Sequence, residues 1–215
     1  MGAGHSFLIQ PLQSKPNVYP TRAFLARGRQ EAQIKSCQHR QAKNKTCSHV
    51  IGYCSSVQDT RIKKHNQLCE LLVNDAKEID WMVFQEPLLK DGKNELYKPD
   101  LLFVNRNQAL VADIIVRYNS KSTSLTDAAA EKVRKYQHLK DQAQELTNAT
   151  SIKLLGFLLG ARGKWYQGNY ELLTDLGLSS SQQEKVARCL SNWALFTSVG
   201  TVHIFASQAW TILRF

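Results

Sequence analysis

The chain has 215 residues, 43% hydrophobic and 21% charged, a composition that supports a sizeable core and excludes a disordered or fibrous protein. Its longest uncharged apolar run, LLGFLLGA at 154–161, is far shorter than the ~20 residues that span a bilayer, so no transmembrane segment and no membrane partner are expected. The net charge of +10 is uneven: residues 1–65 hold 11 Lys or Arg against two acids, while the remaining 150 residues hold 17 basic and 16 acidic side chains.

A basic arm on a near-neutral body points to a polyanion, of which nucleic acid is the usual one; a solvated tail that maintains solubility is the plainer alternative. The five cysteines are odd in number, and three cluster at Cys37, Cys47 and Cys54. That pattern fits metal binding in a reducing compartment better than a secreted disulfide framework, and it leaves the sequons at Asn44 and Asn148 without significance. The start, MGAGHS, lacks a signal-peptide core; its match to M-G-x-x-x-S at Gly2 and Ser6 is short enough to arise by chance.

Residues 1–36 carry three of the five prolines and the basic cluster TRAFLARGR, in which Arg27 and Arg29 lie, and read as a basic linker with at most one short helix. Residues 37–58 follow as a small module. In SCQHRQAKNKTCSHVIGYC, His49 and Cys54 form an H-x4-C pair with Cys37 upstream. Tetrahedral zinc needs four donors, or three and water, and either His39 or Cys47 could supply the fourth. A packing role for Val50, Ile51 and Tyr53 without metal is the competing reading.

From Asp59, DTRIKKHNQLCELLVNDAKEI predicts an amphipathic helix with Asp59 near its N-cap and Ile62, Leu68, Leu72 and Val73 as apolar positions. Arg61, Lys63, Lys64 and His65 concentrate on its first turns, where a helix already favours phosphate. WMVFQEP at 81–87 predicts a strand ending at Glu86, and KDGKNELYK a polar turn loop. Leu101 to Val104 and Leu110 to Val116 are apolar, β-branched runs separated by Asn105, Arg106 and Asn107, and predict a hairpin. The second run is apolar on both pleat faces, as in a central covered strand, and Asp113 sits inside it. An ionised carboxylate there is costly unless a cation or several donors meet it. Asp100, entering the first strand, would bring a second carboxylate to within ~6 Å if the strands are neighbours, close enough to share a metal.

Ser124 and Asp127 have capping-box spacing ahead of AAAEKVRKYQHLKDQAQEL, a strong helix in which Lys132, Tyr136 and Leu139 share a face. SIKLLGFLLG predicts another buried strand. GARGKWYQGN is a glycine-punctuated basic loop, where Arg162 and Lys164 could meet a phosphate and Trp165 stack or pack. SSSQQEKVARCLSNWALF then predicts a packing helix.

The ordered set KPDLLFV, VADIIVRY and EKVRKY resembles the PD-(D/E)xK superfamily, and most closely the restriction-like endonuclease that ends the polyprotein of site-specific non-LTR retrotransposons. The resemblance covers roughly residues 17–205. It implies an α/β fold with a restriction-endonuclease-like core, a mixed sheet flanked by helices, over residues 59–215, preceded by a zinc-knuckle-like module. It further implies that Asp100 and Asp113 bind Mg²⁺ or Mn²⁺, that Lys132 or Lys135 orients the attacking water, and that Tyr136 belongs to the same motif. Glu86 stands where the superfamily often has a third acid. R-x3-H at Arg61 and His65 resembles the family's DNA-engaging motif, and NVYPTRAFLARGR resembles the segment joining reverse transcriptase to endonuclease. The family's knuckle has a cysteine where this chain has Arg40, and a glutamate often stands where this chain has Asn119.

The function this implies is metal-dependent nicking of target DNA for integration, in the nucleus, beside the reverse transcriptase of the same polyprotein and with RNA as a second partner. The alternative is an inactive or domesticated nuclease fold that only binds nucleic acid. A junction resolvase uses a similar catalytic set, but the knuckle remnant argues against it.

Overall fold

The computed structural model describes Cys37, residues 46–118 and residues 123–212, with side chains as far as Gln208. Four strands form one mixed sheet in the order β1-β4-β5-β6: β1 (Met82–Gln85), β4 (Leu101–Asn105), β5 (Gln108–Arg117) and β6 (Ser151–Gly160). β4 runs antiparallel to both β1 and β5, whereas β6 lies parallel to β5 in a register that sets Asp113 beside Gly156. The β4–β5 turn is tight because Arg106 adopts a left-handed φ of 49°. A parallel neighbour requires a crossover. Helix α3 (Ser124–Tyr136), a 3-10 turn and α4 (Lys140–Thr147) supply it.

The pleat of β4 and β5 separates two cores. Leu101, Phe103, Leu110, Ala112 and Ile114 point to one face and meet Leu68, Leu72 and Val73 of α2 (Gln58–Lys77), with Leu172 and Leu173 of α5 (Asn169–Asp175) and Leu190 and Ala194 of α6 (Ser180–Ile212). Leu102, Ala109 and Val111 point to the other face, toward Tyr136 of α3, Leu139 of the 3-10 turn and Ala143 of α4. The short helix α1 (Cys47–Gly52) docks on this body, since Val50 and Ile51 share a cluster with Ala161, Val202 and Phe205. Tyr53, which the metal-free reading would pack with them, is 64% exposed.

Several local expectations differ from the structure. The polar segment after Glu86 contains a two-stranded hairpin, β2 (Leu89–Lys90) with β3 (Leu96–Tyr97). Its turn is organised by Asp91 Oδ1, which accepts from the amides of Lys93 and Glu95 at 2.9 and 2.8 Å. Thr123, not Ser124, is the N-cap of α3, and neither it nor Val57, the N-cap of α2, makes a side-chain cap. The long helix expected after Ser124 breaks at Gln137–Leu139, and α6 runs 33 residues, well past the stretch predicted for it.

On the outer edge of β6, beside the bridge that Trp165 makes to Leu159, one buried side chain pairs with the strand backbone. Asn169, 1% exposed, accepts from the Leu158 amide and donates to the Leu158 carbonyl, both at 2.8 Å. Asn169→Ala strands both backbone groups in the interior, so a loss of about 2–4 kcal/mol in denaturant-measured stability is expected. A change below about 0.5 kcal/mol would show that water replaces the amide there.

Candidate active site

At one end of the sheet, side chains from both helical layers converge on two carboxylates. Asp113 shares its pleat face with Ala109 and Val111, so it looks toward α3 and is only 4% exposed. Lys132 Nζ lies 2.5 Å from its Oδ2, and the Tyr136 hydroxyl donates to its Oδ1 at 2.9 Å. These contacts require α3 to run close to the sheet. Gly156, opposite Asp113 in the register, permits that approach: a Cβ there would stand 3.0 Å from the Ala129 Cα.

Asp100 immediately precedes β4, one step beyond the Leu101–Ala112 pair and therefore alongside Asp113. Its Oδ2 accepts from the Ile114 amide at 2.5 Å, and its Oδ1 meets His65 Nε2 at 3.2 Å. The hydrogen bond to Asp100, aided by the Cys69 thiol 3.6 Å away, raises the His65 pKa to about 10 against the opposing effect of burial. Burial, the charge and hydrogen bond of Asp113 and the charge of Asp100 together push the Tyr136 hydroxyl well above its usual range. Both carboxylates therefore act on one hydroxyl. Lys135 Nζ donates to that same hydroxyl at 2.8 Å and lies 4.5 Å from its ring centroid, and the Lys98 carbonyl stands 3.5 Å from it.

Glu86 is placed differently from its expected role. A left-handed φ of 50° turns it at the end of β1: its amide donates to the Asp100 carbonyl at 2.8 Å, but its side chain lies at the surface, paired with Lys98 at 2.5 Å. His65, expected to face DNA, holds Asp100. Arg61 Nη1 donates to the Cys54 carbonyl at 2.5 Å. Lys64 is 7% exposed and donates to Ser198 on α6, rather than lying on an open helix face. Its burial was legible in part, because Lys64 stands on the same i, i+4 stripe as Leu68, Leu72 and Ala76. Arg162 lies over the Tyr118 ring, 5.3 Å from its centroid, and Lys164 is exposed. Arg27, Arg29, His39, Arg40 and Asn119 lie outside the described residues.

A second cluster forms beside α1. One ligand atom from each of Cys37, His49 and Cys54 lies within 4.8 Å of the others, and the two sulfurs are 3.8 Å apart. Two thiolates on one tetrahedral zinc at ~2.3 Å stand about 3.8 Å apart, so the donor set fits that ion. Cys47 is not in the group: its thiol is buried, which raises its pKa, and it lies close enough to act on Tyr118. The carboxylate pair suits a different metal. Two carboxylate oxygen donors at one sheet end are what Mg²⁺ typically takes from a protein.

No protein-family model matches the chain. It is 27% identical over 185 residues, 85% of its length, to a retrovirus-related Pol polyprotein from type-1 retrotransposable element R2 of Popillia japonica. It is 26% identical over 201 residues, 86% of its length, to the Pol polyprotein from type-2 retrotransposable element R2DM of Drosophila melanogaster, and 21% identical over 180 residues to an R2 Pol polyprotein of Nasonia vitripennis. The chain spans 38%, 18% and 17% of these relatives. The similarity supports a correspondence between this chain and one portion of a retrotransposon polyprotein.

Proposed function

We propose that the chain is the metal-dependent DNA endonuclease portion of such a polyprotein, nicking target DNA for integration in the nucleus. The observation that carries this reading is Asp113, a nearly buried carboxylate in the central strand, met by Lys132 and Tyr136 from one layer and adjoined by Asp100, which His65 of the other layer holds. A site built only for stability would not be expected to place two carboxylates side by side, because like charges there oppose each other's ionisation. Asp100 and Asp113 would hold Mg²⁺ or Mn²⁺. When bound, that ion supplies a water of lowered pKa and neutralises charge developing on the scissile phosphate.

The chain's own groups do the rest. Lys132, 24% exposed at its side chain, sits where it can hold the attacking water and the phosphate oxygen against Asp113. Tyr136, kept protonated, fixes Asp113 through Oδ1, and Lys135 fixes Tyr136. His65 holds Asp100 at the strand entrance. The basic residues 1–65 would carry much of the DNA affinity through phosphate contacts, and zinc at Cys37, His49 and Cys54 would brace α1.

Supercoiled plasmid incubated with the purified chain and Mg²⁺ should be nicked, and EDTA should stop the reaction. Lys132→Ala should reduce nicking by about 10²-fold or more, whereas Lys135→Ala should cost less, since Lys135 reaches Asp113 only through the Tyr136 hydroxyl. No nicking with either Mg²⁺ or Mn²⁺ would reject the enzyme and favour a nuclease fold retained for nucleic-acid binding.

A further inference from the structure

A cavity of about 250 Å³ opens where α1, α2, β5 and α6 meet, and it shares His65 with the carboxylate site. Arg61, Lys64 and His65 line it together with Gly52 and Thr201, and no Asp or Glu does. At roughly 30 Å³ per water it has room for a phosphate group and several waters.

The lysine is the unusual part. Lys64 is 7% exposed, its Nζ donates to the neutral Ser198 Oγ at 2.5 Å, and it stands 6.0 Å from the Trp193 ring centroid. Among the described residues no carboxylate lies within ion-pair distance of it. Burial alone lowers its pKa to about 8. A buried ammonium without a counter-charge is a cost to the fold, and an anion in the cavity would offset it. Arg61 is aimed at the same region by its bond to the Cys54 carbonyl, which engages one terminal nitrogen and leaves other guanidinium N–H groups as donors. His65 is balanced by Asp100, so Arg61 and Lys64 carry the uncompensated charge.

We propose that this cavity is a phosphate subsite, taking one backbone phosphate of DNA whose neighbouring phosphate lies at Asp100 and Asp113. That the phosphate belongs to DNA rests on the endonuclease reading; that the cavity takes an anion rests on its own charges.

The test uses the full chain and a short fluorescent duplex in EDTA, so that binding alone is read and a failure of nicking in Mg²⁺ registers separately. Arg61→Gln and Lys64→Met should each weaken binding roughly tenfold and lower the slope of log K against log salt by about one. Gly52→Leu should weaken it comparably by filling the cavity, since a Cβ at Gly52 meets nothing within 4 Å and no charge changes. Lys77→Gln, in the exposed last turn of the same helix, should change affinity less than twofold. Lys64→Met should melt at or above the wild-type temperature, because the buried charge is gone. Inorganic phosphate should raise the wild-type melting temperature and leave that of Lys64→Met unmoved.

Wild-type affinity and salt slope in both Arg61→Gln and Lys64→Met would overturn the proposal. So would a Lys77→Gln effect as large as theirs, which would mean diffuse charge without a site. Stabilisation by phosphate with unaltered DNA binding would reassign the cavity to a free anion and overturn its assignment to DNA.

Discussion

Asp113→Asn is expected to lower Mg²⁺-dependent plasmid nicking by roughly 10³-fold while leaving duplex binding in EDTA at least as tight as in the wild type. The two effects separate because the carboxylate serves chemistry and opposes affinity. It is a metal ligand in the proposed site, yet its negative charge faces the region a phosphate must enter. The amide keeps the shape of the side chain and can still accept from the Tyr136 hydroxyl, so the packing of α3 on the sheet should persist. What is lost is the ion pair with Lys132, and with one partner 5% and the other 24% exposed, that loss should cost on the order of 1–3 kcal/mol. Melting curves therefore have to accompany the rates. A folded Asp113→Asn protein that nicks as the wild type does would place any activity elsewhere.

Zinc removal is expected to have the largest effect on stability. Purified chain prepared without chelator should contain about one zinc, and Cys54→Ser should lower that content and destabilise the protein by at least ~3 kcal/mol. Helix α1 has six residues, too few to persist by its own hydrogen bonds. It is held by the Thr46 cap, whose Oγ1 accepts from the His49 amide at 3.2 Å, and by the apolar cluster with Val202 and Phe205. A metal on Cys37, His49 and Cys54 would tie the same segment from within. Cys47→Ser should leave the zinc content unchanged, since Cys47 lies outside the three-donor group. Zinc-free protein with native stability would reduce this cluster to a packing contact.

Much of the site could be read before the fold was known, for reasons of spacing. Lys132 and Tyr136 are four residues apart on one helix and must share a face, which is why both reach Asp113. Asp100 and Asp113 flank a tight turn between two apolar runs, and antiparallel pairing then brings them side by side. Other placements were not legible. KDGKNELYK has the composition of a loop, and its hairpin exists because Leu89 is buried with Tyr97 and Val111 against α3 and α4. Glu86 ends a strand as predicted, but a left-handed backbone turns its side chain to Lys98 at the surface.

The sequence by itself determined the quantities that depend on neighbours along the chain: the central strand from its unbroken apolar run, the crossover helix, the face shared by Lys132 and Tyr136, and the basic bias of the first 65 residues. Only the tertiary structure decided which of these faces meet. His65 acquires Asp100 from 35 residues away, and Lys64 acquires Ser198 from 134 residues away, because α2 packs on one face of the sheet and α6 lies beside it. Such partners are selected by the burial of Leu68, Leu72 and Ala194 in a common core, a non-local and non-directional force that fixes helix positions without leaving a signature in the spacing of the polar residues it brings together.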